Sequence, residues 1–193
     1  MQKTCKLALN LLDRPIAIQK PAMAHRRLLL RKSLLKKFIF FTALFAPVLS
    51  LAQDAAPQIT ALRMATYAGT NQRFSERQLG GKRALIMFWA SDCPPCLVEM
   101  RGFNAIKAAA RMPIIIVTED WGRREQTLLA PQKAAGAIIV QSQNSFSNLL
   151  EYFGDPENSI PYTIMINENG VACISHLGVL TAKSVRDMQR ECG

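Results

Sequence analysis

Seven apolar residues in a row, Ala84-Leu85-Ile86-Met87-Phe88-Trp89-Ala90, run straight into Ser91-Asp92-Cys93-Pro94-Pro95-Cys96. An unbroken apolar stretch of this length predicts a strand covered on both faces, and so a sheet with helices packed on each side. The two prolines stiffen the segment after the strand, and Pro95 fits an early helical position. Cys93 and Cys96 therefore stand three residues apart where a buried strand hands over to a helix. At that spacing two sulfurs can close a small disulfide ring and open it again.

The remaining chain alternates in the same way. Ile59 to Ala68 predicts an early strand, and Gly69-Thr70-Asn71-Gln72 and Gln78-Leu79-Gly80-Gly81-Lys82 predict turns. A helix is expected from Cys96 to about Arg111, with Leu97, Met100, Ile106 and Ala110 roughly on one side. Pro113 to Thr118 predicts a second buried strand, and Trp121 to Lys133 a helix interrupted or kinked near Pro131. Ala137 to Val140 and Tyr162 to Ile166 predict two more strands, separated by a short helix from Ser145 to Phe153 capped by Asn144 or Ser145. Asn167-Glu168-Asn169-Gly170 is a hairpin turn into a strand from Val171 to His176, and Thr181 to Glu191 is an amphipathic helix. There is no internal repeat. This order predicts an α/β sandwich with a mixed central sheet.

The formal charge of +10 on 193 residues would suggest a nucleic-acid or membrane-surface partner. Its distribution argues otherwise. Residues 1–52 hold 10 of the 24 Lys and Arg and one of the 14 acids, leaving 14 basic and 13 acidic residues downstream, with no basic stripe. No nucleic-acid partner is expected. The basic segment from His25 to Lys37, the apolar run from Phe38 to Leu51 and the small residues of Ser50-Leu51-Ala52 read as an export signal over 23–52, cut before Gln53. The run is short of the ~20 residues that span a bilayer, although an uncleaved inner-membrane anchor is the alternative. Arg26-Arg27 loosely resembles a twin-arginine signal, but the Phe-rich core suits the general secretory route better. Residues 1–22 are an upstream extension, and translation starting at Met23 is the alternative reading. Residues 53–193 then form one domain in the periplasm. Four of the five cysteines remain in it, in a compartment where disulfides persist.

A thiolate is the attacking species in disulfide exchange, and a sulfur at a helix N-terminus is stabilised as the anion. Cys93 occupies that expected position and Cys96, one turn further in, is the more buried. Cys93 is thus the attacking sulfur and Cys96 the resolving one. The thiol pKa of about 8.5 would need to fall towards ~7 for attack at neutral pH, and Asp92 opposes that fall. No His lies between the cysteines to hold a thiolate, which tilts the reading towards a reductant. Half of a zinc site is the first rival, but no second C-x-x-C or His pair stands at a suitable spacing, so no metal is expected. A purely structural disulfide is the second.

Leu79-x-Gly81-Lys82, then Leu85 to Ala90, then C-x-x-C resembles the thioredoxin superfamily, and most closely its exported TlpA/ResA-type thiol–disulfide oxidoreductases. Glu99, three residues after Cys96, matches that branch, as do Ile160-Pro161-Tyr162-Thr163 and the Asn169-Gly170 hairpin. The likeness covers roughly residues 61–192. It implies a thioredoxin-like three-layer α/β/α sandwich, with Cys93 as nucleophile and Cys96 as resolving thiol. It implies that Pro161 is a cis-proline facing them and that the Ile160 backbone offers strand-like hydrogen bonds to a substrate peptide. Trp89 would pack beside the disulfide, whether as substrate surface or as plain core. Glu99, sharing a helix face with Cys96, would accept or relay its proton, the alternative being a solvated helix glutamate. The sequence departs from the family pattern at Asp92, where Trp is frequent, at Met87, near the place of a strand acid, and at Met100-Arg101, where Pro is frequent.

Cys173 and Cys192 are a candidate structural disulfide fastening the last helix to the sheet, or else two separate thiols. His176 is read as a surface or edge-strand residue without chemistry, and Trp121 as loop packing near the active face. The expected activity is exchange of disulfides with exported proteins, as a reductant recharged by a membrane thiol carrier of DsbD/CcdA type, with apocytochrome c thiols among the clients. No cofactor is implied. Two rivals share the fold. A thiol peroxidase needs Thr/Ser-x-x-Cys, which Ser91 fits poorly, and a copper(I)-binding module would use the same two thiols.

Overall fold

The computed structural model describes residues 16–17 and 55–193. The expected signal 23–52 lies outside them, as does all of 1–22 except the pair 16–17. A mixed sheet runs in the order β1-β7-β6-β3-β4-β5-β2. Its strands are β1 (Ile16–Ala17), β2 (Thr66–Tyr67), β3 (Ala84–Trp89), β4 (Ile114–Thr118), β5 (Ile138–Gln141), β6 (Tyr162–Ile166) and β7 (Ala172–Leu177). β3, β4 and β5 are parallel, and β6 pairs antiparallel with β3 and β7. β1 and β2 add antiparallel to β7 and β5.

All six residues of β3 are buried, as a continuous apolar run in a central strand requires. Alternate residues serve opposite faces. Leu85, Met87 and Trp89 join Ile114, Ile116, Ile139, Met165 and Ile174 on one side. Ala84, Ile86 and Phe88 join Ile115, Val117, Val140 and Ile164 on the other. The first face is covered by α1 (Pro94–Arg101), α2 (Phe103–Ala110), α3 (Arg123–Ala134) and α5 (Ala182–Cys192) through Met100, Phe103, Ile106, Leu129, Val185 and Met188. The second is covered by α4 (Phe146–Tyr152) and two short 3-10 segments, Ile59–Met64 and Glu76–Leu79, where Phe146 and Phe153 pack around Phe88. The protein is the expected three-layer α/β/α sandwich.

Several elements differ from expectation. Ile59 to Ala68 is not one strand. Ile59 and Leu62 bury at a spacing of three, which suits a 3-10 turn, and only Thr66–Tyr67 are extended. The helix expected from Cys96 to Arg111 starts at Pro94 and is divided at Gly102, whose N–H bonds back to Glu99 and Met100. Glycine is the weakest ordinary helix former, and its lack of a side chain removes any packing that would carry the helix across. Pro131 does not interrupt α3, which continues to Ala134, while Trp121 precedes that helix. Ser145 stands at the N-cap of α4, as one of the two expected candidates, but its hydroxyl makes no capping bond and instead donates to Ser142 O at 2.6 Å. The side chain of Asn144 is not among those described. His176 is buried at 8% exposure in β7, with Nε2 3.4 Å from Val179 O, because its position in the strand points it to the helix-covered side.

Candidate active site

β3 ends at Trp89, and a short loop delivers Cys93 to the N-cap of α1. Pro94 and Pro95 occupy the first helical positions, where a missing N–H costs nothing. The sulfur of Cys93 takes the capping role itself and accepts from Cys96 N–H at 3.3 Å. An anion there gains from the unpaired N–H groups and the helix dipole. Cys93 and Cys96 are joined as a disulfide with Cα atoms 5.3 Å apart. Their exposures are 2% and 0%, so the expected difference in access is small. Both cysteines belong to the buried cluster that also holds Trp89 and Met100.

The Ile160–Pro161 peptide is cis. The Ile160 carbonyl oxygen lies 3.6 Å from Cys93 Sγ, where a reduced thiol can donate to it. Trp89 is fully buried, and its Nε1 has no hydrogen-bond partner. It lines a cavity of about 440 Å³ with Leu97, Met100, Leu128 and Gln132. Trp121 packs over Gly69, where φ is +77° and a Cβ would stand 2.7 Å from the indole nitrogen.

Glu99 is not a solvated helix glutamate. It is 1% exposed, one turn after Cys96, and its Oε1 accepts from Leu180 N–H at 2.8 Å. Oε2 has no partner. Burial pushes its pKa from 4.5 up to about 8, the Leu180 bond opposing the rise. A carboxyl so placed, one helix turn after Cys96, is mostly neutral at pH 7 and gives up its proton as pH rises through about 8.

Three residues that sequence reasoning missed surround the same loop. The Ser91 hydroxyl donates to Glu125 Oε1 at 2.6 Å, and Arg124 Nη2 donates to Ser91 O at 2.9 Å. Gly122 N–H donates to Glu125 Oε2 at 2.9 Å. Burial pushes the Glu125 pKa up, but the bonds from Ser91 and the backbone N–H groups, with Arg124 nearby, outweigh it and hold the carboxyl below its ordinary range. The usual capping signature of Ser or Thr three residues before Glu is absent, since glycine stands at 122. The poor candidate for a peroxidatic hydroxyl, Ser91, is thus committed to Glu125. Away from this site, Cys173 in β7 is disulfide-bonded to Cys192 in α5, with Cα atoms 5.3 Å apart.

A dithiol on the first turn of a helix, flanked by a cis-proline and carried on this sheet, defines a thioredoxin-like thiol–disulfide oxidoreductase. The Redoxin family model matches residues 51–190, and the chain belongs to that family. It is 25% identical over 172 residues to sporulation thiol-disulfide oxidoreductase A of Bacillus subtilis, covering 84% of this chain and all of the relative. Among solved structures, a thioredoxin-family thiol:disulfide interchange protein from Chlorobium tepidum aligns with a TM-score of 0.54 at 18% identity, over 72% of this chain and 96% of that one. A thioredoxin-related protein from Neisseria meningitidis aligns at 0.53 and 21% identity, over 66% and 96%. These likenesses carry the fold, and the sequence relatives place the chain among TlpA/ResA-like proteins.

Proposed function

We propose that the chain acts in the periplasm as a reductant of disulfides in exported proteins, recharged by a membrane thiol carrier of DsbD/CcdA type, with apocytochrome c thiols among its clients. The observation that carries this reading is Cys93 Sγ at the N-cap of α1, 3.6 Å from the Ile160 carbonyl. A substrate disulfide is attacked by Cys93 as thiolate. The substrate's leaving thiolate takes up a proton, and a mixed disulfide forms. Cys96 then attacks Cys93, the second substrate sulfur leaves as a thiolate and takes up a proton, and the ring closes; the ionised fraction of Glu99, which grows as pH rises towards 8, accepts the Cys96 proton. Pro161 and the Ile160 backbone align the substrate peptide, and Trp89 backs the ring. The Cys173–Cys192 bond has a structural part only. The basic and apolar segment over 23–52 supports export of residues 53–193. Among the described residues no helix is long and apolar enough to cross a membrane. The lack of a cation between the two cysteines favours the reductant direction.

Equilibration of residues 53–193 in glutathione buffers tests the direction. A potential near that of thioredoxin, about −270 mV, is expected; one near about −120 mV would make the protein an oxidant.

A further inference from the structure

Ser91 is held twice by two successive residues of α3. Its hydroxyl bonds to Glu125 and its carbonyl to Arg124, at 2.6 and 2.9 Å. The Glu125 carboxylate is itself fixed from the other side by Gly122 N–H at 2.9 Å. The first turn of α3 is thereby tied to the middle of the loop between β3 and α1, two residues ahead of Cys93. None of these bonds involves a sulfur. On the downstream side the same loop runs into Pro94 and Pro95, which offer no N–H to anchor it.

We propose that Ser91, Arg124 and Glu125 form a clamp that keeps Cys93 at the N-cap of α1 once the disulfide is open. This rests on the reading of Cys93 as the attacking sulfur. In the oxidised protein the bond to Cys96 fixes that sulfur. Reduction adds two electrons and two protons, breaks the S–S bond and removes the tether. What then keeps Cys93 in place is the contact of its sulfur with Cys96 N–H and the Ile160 carbonyl, the Leu97 N–H bond to Cys93 O at 3.2 Å, the Cys93 N–H bond to Ala90 O at 3.4 Å and the clamp. Stabilisation of an anion by a helix terminus fades within the first turn, so a loop that drifts loses it. The three are positioning residues, acting on Cys93 through the backbone. Titratable and charged groups on the elements around Cys93 are Asp92 on its own loop, Cys96, Glu99 and Arg101 on α1, Arg123, Arg124, Glu125 and Lys133 on α3, and Glu119 and Asp120 after β4. Ser159 to Pro161 bring none.

The test is the rate of iodoacetamide alkylation of the reduced protein from acid to alkaline pH, with peptide mass mapping to show which sulfur reacts first. Variants are Ser91→Ala, Ser91→Thr, Glu125→Ala and Arg124→Met. Ser91→Ala and Glu125→Ala should raise the midpoint of the Cys93 profile by about half to one pH unit, making alkylation below that midpoint about three- to tenfold slower. Ser91→Thr keeps the hydroxyl and should keep the wild-type profile. Arg124→Met removes an exposed side chain, so it remains informative if Ser91→Ala folds poorly. Its shift should persist in about 1 M salt, where the Debye length is about 3 Å and a direct charge effect is screened. If Cys93 reacts first and the Ser91→Ala and Arg124→Met profiles superimpose on wild type, the clamp is refuted and the proposed function stands. If Cys96 reacts first in the wild type, the assignment of the attacking sulfur falls and the clamp with it.

Discussion

Replacing Glu99 by Gln should make the oxidised protein more stable at neutral pH. The carboxyl titrates at about 8 in the fold against an ordinary 4.5. Its folded-state pKa is raised, so between these values the folded chain keeps a proton that the unfolded chain has given up. Stability therefore falls as pH rises through that window, the full contribution being present only below the unfolded value. From pH 4.5 to 7 the loss is worth about 2.2 full pH units, because the unfolded carboxyl is only half ionised at pH 4.5, and at about 1.4 kcal/mol each this is about 3 kcal/mol. Glutamine is close in shape, keeps an oxygen for Leu180 N–H and does not titrate. Urea unfolding of wild type and Glu99→Gln, both oxidised, reads the difference as the shift in midpoint times the slope. The variant should match or fall slightly below wild type near pH 4.5 and exceed it by about 3 kcal/mol at pH 7. Glu76, Glu125, Glu168 and Asp187 are all held below their ordinary ranges, so their own contributions change in acid, outside this window, and cancel in the comparison. If wild type and variant lose stability in parallel from pH 5 to 8, the carboxyl is already ionised in the fold and its raised pKa is refuted.

Cys93→Ser should abolish reduction of insulin disulfides, whereas Cys96→Ser should still attack and accumulate a mixed disulfide visible by intact mass. The same Glu99→Gln change should flatten the rise of disulfide-exchange rate with pH above neutrality; an unaltered profile would remove Glu99 from the proton path. Converting both Cys173 and Cys192 to Ala opens a loop of 19 residues and should cost about 3 kcal/mol in thermal or urea unfolding, with exchange activity retained. Gly69→Ala combines a left-handed backbone with a Cβ 2.7 Å from Trp121 Nε1, and should destabilise by about 1–3 kcal/mol while changing the tryptophan emission.

What can be read from the chain is what neighbours in sequence decide. β3, β4 and β6 announce themselves because their side chains are apolar on both faces, and the two cysteines come within a few residues of one of them. The Asn167–Gly170 turn is equally legible, since Asn167 Oδ1 binds the N–H groups of Asn169 and Val171 within the turn itself. The errors lie where distant segments decide. Ile59 and Thr60 are good strand formers that tertiary packing holds in a 3-10 turn. The burial of Glu99 depends on Leu180, 81 residues away. The grip on Ser91 comes from a helix 33 residues downstream that lacks the usual capping residue. His176 is buried although its polar ring and its place in a late strand suggest exposure.

Phe88 and Trp89 are adjacent in the chain yet belong to separate worlds, one among the rings of Phe146, Phe153 and Tyr162, the other in the buried cluster that holds Cys93 and Cys96. The backbone of a single strand insulates them. Substitutions that thicken or thin the aromatic layer can therefore adjust how long the protein survives, while the opposite layer drifts towards a new electron partner. Durability and chemistry can be inherited, and engineered, as separate traits.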